Sequence, residues 1–353
     1  MKKVLLGLIG LAIFVISCTV VFYNLNLRAV SSSSSEVEFE VDGGYYNTIP
    51  KLKKAGLIRN ELCFKIYVKM HNLNEIQKGK YILNKNMSVK DIVEVFSKGN
   101  TYNPDVITIT FNEGRHMRYI AKTISENTNN TENDVFDLLK NTEYLNEIIN
   151  DYWFIDNSIL NNEIYYSLEG YLYPETYEFR SKDVTVKEIF KTMLDQMDKK
   201  LEPYKSDIQN NKYTVHQILT LASIVEVEGK NVDDRKEIAG VFFNRLNAGM
   251  SLGSDVTTYY AAKVDMGERD LYKAELDSVN AYNTRSASMA GKLPVGPICN
   301  PRIESIVAVL KPYVNDYYYF VADKNGKVYF TKTYSEHSSK VNELKQAGLW
   351  YMY

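Results

Sequence analysis

Residues 4–23, VLLGLIGLAIFVISCTVVFY, carry no charged side chain, and Lys2 and Lys3 precede them. A helix of about 20 apolar residues matches the hydrocarbon thickness of one bilayer. Everything after Asn24 must then fold as a separate body beside a membrane. Positive charge on the short N-terminal side predicts a cytoplasmic N-terminus, with the rest of the chain on the other face.

Val15-Ile16-Ser17-Cys18 has the pattern of a bacterial lipobox, in which Cys18 would be lipidated after cleavage. The apolar run continues through Thr19–Tyr23, past the point where a lipoprotein turns polar, and this favours an uncleaved anchor. A cleaved secretory signal ranks third, because no small-x-small cleavage site follows. Ser31 to Ser35 is a five-serine run, read as a flexible linker over residues 25–36.

The 353 residues leave room for about two domains beyond the anchor. A net charge of −2 offers no electrostatic footprint for nucleic acid. Cys18, Cys63 and Cys299 lie far apart, as do His71, His116, His216 and His337, so the spacing supports neither a zinc site nor a disulfide framework. Tyrosine is abundant, at 28 residues. Its flat face and hydroxyl suit sugar rings, although an A/T-rich genome produces the same bias.

Hydrophobic periodicity predicts an α+β chain. Residues 37–104 read as a small module: strand 37–44, helices 48–58 and 61–73, strand 78–83, then a helix over 89–99 capped by Ser88. A second unit, 105–353, opens with strand 106–114 and a helix over 117–126. An aromatic loop, SLEGYLYPETYEF (167–179), leads to helices at 186–200, 215–228 and 233–246. Strands 317–323 and 327–333 flank an Asn-Gly turn, and a helix over 335–347 follows.

The stretch TLASIVEVEGK (220–230) puts two glutamates at the end of an apolar helix. On a helical wheel Ile218, Leu221, Ala222 and Val225 share one face. Glu228 has Ile224, Val225 and Leu221 as its neighbours along the surface, whereas Glu226 has Ala222 and Ser223. Burial on the apolar flank would raise the pKa of Glu228, as a general acid working near neutrality requires. The competing reading is a helix-end carboxylate facing solvent beside Lys230. Gly229 is expected to end the helix and leave space for a ligand. Loops at 240–255, 281–285 and 292–301 are rich in Asn, Ser, Asp, Gly and Pro, as in a polar cleft.

LASIVEVEGK, IAGVFFNRLNAGMSLGSD, YNT, LPVGPICNP, YYYFVAD and the late Glu336-His337 follow the order seen in endolytic murein transglycosylases, and LEGYLYPETYEF also matches. Nearly the whole chain resembles that membrane-bound lytic transglycosylase family. The resemblance implies that residues 37–104 are a LysM-like module and residues 105–353 the catalytic domain. It also implies that Glu228 is the catalytic acid, with no metal or organic cofactor. Glu226, Ser254, Asp255, Tyr282, Asn283 and Glu175 are the candidates for holding the glycan. Two departures change loop stiffness: Ser254-Asp255-Val256-Thr257 stands where the family has Ser-Asp-Pro-Thr, and Pro294-Val295-Gly296 where it has Pro-Pro-Gly.

The activity so implied is non-hydrolytic cleavage of the MurNAc-β-1,4-GlcNAc bond of nascent peptidoglycan strands, giving 1,6-anhydro-MurNAc ends. The implied partners are glycan strands, the cell membrane through the N-terminal helix, and glycan polymerases. Two rival functions fit the same residues: a lysozyme-like muramidase, in which Asp255 or Glu226 would handle water, and a non-catalytic glycan-binding scaffold.

Overall fold

A computed structural model describes residues 2–73, 75–99 and 106–350, leaving out the side chains of residues 2–6 and 8. The chain divides into two compact units, 1–105 and 106–353. The boundary expected at residue 104 falls outside the described residues.

The first unit opens with a helix, Lys2–Asn26, whose stretch Ile9–Asn26 is long and apolar enough to cross a membrane and is not buried in protein. Strands Glu36–Val41 and Gly79–Asn84 then pair antiparallel, with Glu36 opposite Asn84 and Val41 opposite Gly79. Helices Tyr45–Lys54 and Glu61–Met70 connect them. The first begins a turn earlier than the expected start at residue 48 and ends at Lys54, short of the expected 58. Tyr45 is buried edge-on against Phe64, and that burial extends the helix upstream. Helix Val89–Lys98 follows. Ser88 and Asp91 form its capping box, and Gly99 closes it in the left-handed region that glycine favours.

The run expected to be a loose spacer is bonded to this module. The Val89 N–H donates to the Leu27 carbonyl at 3.0 Å, and the Arg59 guanidinium to the Ala29 carbonyl at 2.7 and 2.9 Å. The Ser31 N–H donates to the Lys85 carbonyl, and the Ser35 N–H to Asn84 Oδ1 at 2.7 Å.

The second unit is mostly helical around one core, with two short antiparallel sheets among its described residues. Strand Ile107–Thr110 pairs with Thr176–Phe179, so the end of the expected aromatic loop is a strand. Tyr177 and Phe179 alternate inward there, a period-2 pattern too short to stand out. Strands Tyr319–Ala322 and Val328–Thr331 form the expected hairpin, and helix Tyr334–Gln346 packs on it. Helix Val215–Glu228 runs through the core against helices Val232–Asn247 and Ile303–Leu310. Among the helices that the sequence reading missed are Asp255–Ala262 and Ile303–Leu310. Both are only eight residues long, too short for a clear 3.6-residue pattern.

Candidate active site

Helix Val215–Glu228 starts at Thr214, which shares a capping box with Gln217, and it is buried on all sides from Ile218 to Glu226. The wheel reading expected a single apolar face, and the tertiary packing covers the others as well. Both glutamates therefore lie in the interior half of the fold, and their partners set them apart.

Glu226 is 6% exposed and surrounded by donors. It accepts from the Arg302 N–H at 3.0 Å, Arg302 Nε at 2.9 Å and Ser305 Oγ at 2.7 Å, and Arg235 Nη2 lies 3.6 Å away. The buried Glu226 side chain, so partnered, pins helix Ile303–Leu310 to helix Val215–Glu228. Glu226 was expected on the glycan, and here its oxygens are taken up by protein donors.

Glu228, at the last helical residue, is half-buried and accepts one hydrogen bond, from Ser254 Oγ at 2.6 Å. Burial pushes its carboxyl up from 4.5 to about 7; the Ser254 hydrogen bond opposes the rise, the Asp255 charge adds to it and the Arg245 charge opposes it. A carboxyl balanced there holds a transferable proton at neutrality.

Gly229 follows in extended backbone, φ −98° and ψ 126°. A Cβ at this position would lie 2.6 Å from Arg235 Cγ and 3.1 Å from its Cα. Close packing of the next helix therefore explains this glycine, in place of the expected space for a ligand.

Ser254 occupies the N-cap position of helix Asp255–Ala262, yet its hydroxyl caps nothing. The hydroxyl is turned to Glu228 instead. A threonine lattice holds the Ser254 backbone: its N–H donates to Thr284 Oγ1 at 3.0 Å, and its carbonyl accepts from Thr257 Oγ1 at 2.7 Å. Thr257 and Thr284 bond each other at 2.8 Å. Asn283 accepts from Thr258 Oγ1 at 2.8 Å and donates to the Leu276 and Ser278 carbonyls.

Asn283 and Tyr282, both expected on the glycan, are 0% exposed. The Tyr282 ring packs 4.8 Å from those of Tyr165 and Tyr260, and its hydroxyl accepts from the Tyr165 N–H. They support the helix that carries Ser254 and offer no surface to a polymer. Asp255 is exposed and paired with Arg285 at the same helix start. Glu175 is exposed and bonded to Gln196 and Lys200 of helix Val186–Leu201, and none of its contacts reaches Glu228. Of the six candidate binding residues, only Ser254 and Asp255 come together with Glu228.

Arg245, absent from the sequence reading, belongs with this group. It donates to the Tyr318 and Leu252 carbonyls at 2.6 and 2.5 Å and lies 5.1 Å above the Tyr319 ring. The motif FFNRLN carried it in plain view, but an arginine on a surface-patterned helix resembles any solvated cation. The departures from the family pattern are accommodated. Val256 is the second residue of its helix, where an N–H is unbonded in any case. The Val295 N–H donates to the Ala281 carbonyl at 3.1 Å, a bond that proline could not make.

Two concavities of about 750 and 660 Å³ lie elsewhere, one lined by Lys140, Tyr165 and Lys263, the other by Tyr213, Thr214 and Pro294. Neither includes Glu228.

The family model described as YceG-like matches residues 37–343. An endolytic murein transglycosylase of Bacillus subtilis is 38% identical over 288 residues, covering 81% of this chain and 78% of that protein. One of Streptococcus pneumoniae is 33% identical over 314 residues, covering 83% of this chain and 55% of its own length. The crystal structure of a YceG-like protein of Listeria monocytogenes superposes with a TM-score of 0.62 at 33% identity, over 87% of this chain and 100% of that one. With a family match across most of its length, this chain belongs to the YceG-like family.

Proposed function

We propose that the protein is a membrane-anchored lytic transglycosylase that cuts inside peptidoglycan glycan strands, with Glu228 as its single acid and base. One observation carries this reading: a carboxyl with pKa near 7, held by one serine hydroxyl and out of direct contact with any cation among the described residues. The names of the relatives, endolytic murein transglycosylases, supply the substrate class.

In the first step Glu228 gives its proton to the oxygen of the β-1,4 bond between MurNAc and GlcNAc. The C1–O bond breaks, the GlcNAc hydroxyl leaves, and positive charge spreads over C1 and the ring oxygen. The Glu228 carboxylate then takes the proton of the muramoyl C6 hydroxyl, whose oxygen bonds to C1 and closes the 1,6-anhydro ring. No water is consumed and the glutamic acid is regenerated. Ser254 holds the carboxyl in place through both steps, and the Arg245 charge eases the interval in which Glu228 is ionised.

The strand–helix–helix–strand order of residues 36–84 supports a LysM-like, glycan-holding module. The apolar helix supports a single-pass anchor, which the Lys2-Lys3 pair would orient with its N-terminus in the cytoplasm. A catalytic unit held at the outer membrane surface meets strands as polymerases extrude them, so we place its action on nascent glycan, where cutting terminates elongation.

The test is mass spectrometry of uncrosslinked glycan digested by the wild-type chain and by Glu228→Gln. Anhydro-ended fragments from the first and none from the second are expected. Free reducing ends would identify a muramidase, and undiminished turnover by the glutamine variant would overturn the assignment of Glu228.

A further inference from the structure

Helix Glu61–Met70 is apolar on two faces. Cys63, Phe64 and Val68 are buried in the module core, while Leu62, Ile66 and Met70 are 66%, 40% and 67% exposed. Residues four apart drift by about 40° on a helix, so these three side chains form one stripe on the order of 12 Å long. Lys65 and Lys69 flank it on the side away from the core. An exposed apolar stripe beside cations needs an occupant, and the same unit shows which one.

The Tyr23 hydroxyl lies 3.8 Å from Met70 Sδ. Tyr23 ends the uncharged run of helix Lys2–Asn26, where aromatic side chains mark the boundary between lipid and water. Tyr23 therefore fixes the level of Met70 relative to the bilayer. The residues that follow cannot lift the module away. Leu27 packs on its core, and the Leu27 and Ala29 carbonyls accept from Val89 and Arg59. Anchor and module are continuous, with no free spacer between them.

We propose that helix Glu61–Met70 is a membrane-docking surface: Leu62, Ile66 and Met70 enter the lipid interface beside the anchor, and Lys65 and Lys69 meet anionic headgroups. The proposal rests on the reading of Lys2–Asn26 as a bilayer span. It goes beyond that reading, because a span alone assigns no face of the module to the lipid. The arrangement is that of an interfacial amphipathic helix, with an apolar face in the acyl boundary and lysines at its edge. It gives the module one fixed face toward the membrane and leaves its others to glycan.

The test uses the full chain in nanodiscs of phosphatidylcholine and phosphatidylglycerol carrying brominated acyl chains. Single tryptophans are added as Leu62→Trp, Ile66→Trp and Met70→Trp, and emission is taken as the difference from the unsubstituted chain. All three positions are solvent-exposed in the module, so the fold tolerates the substitutions. Val314→Trp, in the other unit and fully exposed, is the control. Quenching by brominated lipid at least about twofold above the control is expected at all three sites. Quenching no greater than the control, in chains that still float with vesicles, would overturn the docking and leave the anchor standing. Emission that shifts blue with protein concentration in detergent, without lipid quenching, would assign the stripe to a second copy and overturn it as well. Failure of the chain to float would remove the anchor reading and the docking together.

Discussion

Two carboxyls two residues apart on one helix are given opposite tasks by their partners. Glu226 is ringed by Arg302, Arg235 and Ser305 and braces the fold. Glu228 has one hydroxyl and a pKa of about 7, so the protein can load and unload it. Glu228→Gln should fold, with a melting temperature no lower than that of the wild type at neutral pH, and lose about two to four orders of magnitude in kcat, as removal of a general acid requires. Glu226→Gln should lower the melting temperature, because two arginines would lose their counter-charge, while measurable turnover survives. Reaction requires the protonated form of Glu228, so kcat/KM should fall about tenfold per pH unit on the alkaline side of its pKa. Arg245 holds that pKa down. Arg245→Gln should therefore shift the alkaline limb to higher pH, and Arg245→Lys should restore it; an unmoved limb would deny Arg245 any part in tuning the acid.

Stability also responds to pH at this scale. Glu169 is buried under Met117, Tyr260 and Asn300, and burial pushes its carboxyl up to about 8. Folded Glu169 and Glu228 both hold protons above the ordinary carboxyl pKa of 4.5. Their contribution is complete below about pH 4.5 and lost as pH rises through about 7 to 8. Calorimetry from pH 5 to 9 should show the melting temperature falling, and falling less steeply in Glu169→Gln.

Among the elements, the proposed catalytic geometry depends on helix Asp255–Ala262, at whose start Ser254 meets Glu228. That helix is short and depends on Thr284 and Asn283 beneath it. Asn283→Ala leaves the Thr258 hydroxyl and two carbonyls without their partner, at a cost of about 1–3 kcal/mol. The expected kinetic signature is a fall in kcat with KM nearly unchanged, since Asn283 is buried. Gly229→Ala would force Arg235 away from the end of the catalytic helix and should destabilise the fold by about 1–3 kcal/mol in chemical denaturation.

At the scale of the whole molecule, the anchor confines where the enzyme works. The chain from Leu27 to Ser35 is bonded to the module along its length, so the flexible reach suggested by the serine run is replaced by a fixed attachment. The proposed action on nascent strands near the bilayer rests on the apolar helix Lys2–Asn26 as its anchor. Full-length protein in vesicles, given uncrosslinked glycan, should release a spread of anhydro-ended lengths at early time; disaccharides peeled from one end would refute internal cutting.

What the sequence determined by itself was local and periodic. The uncharged run at 4–23 marked a helix long and apolar enough to cross a membrane, the Ser88 cap and Gly99 placed one helix to within a residue, and the apolar period placed 215–228. The motif order carried the family. The separation of Glu228 from Glu226 was also within reach, although the wheel reached it for a partial reason, expecting one buried face where the fold buries them all. Only the tertiary structure decided the rest. Tyr282 and Asn283 have the composition of a cleft and the burial of a core, because polar side chains that satisfy one another can be packed inside. Arg245 and Ser254 join Glu228 from segments 17 and 26 residues downstream, and helix Ile303–Leu310 reaches Glu226 from 77 residues away. Periodicity reports what a segment buries, never which distant segment buries it, and an acid's pKa belongs to that second choice.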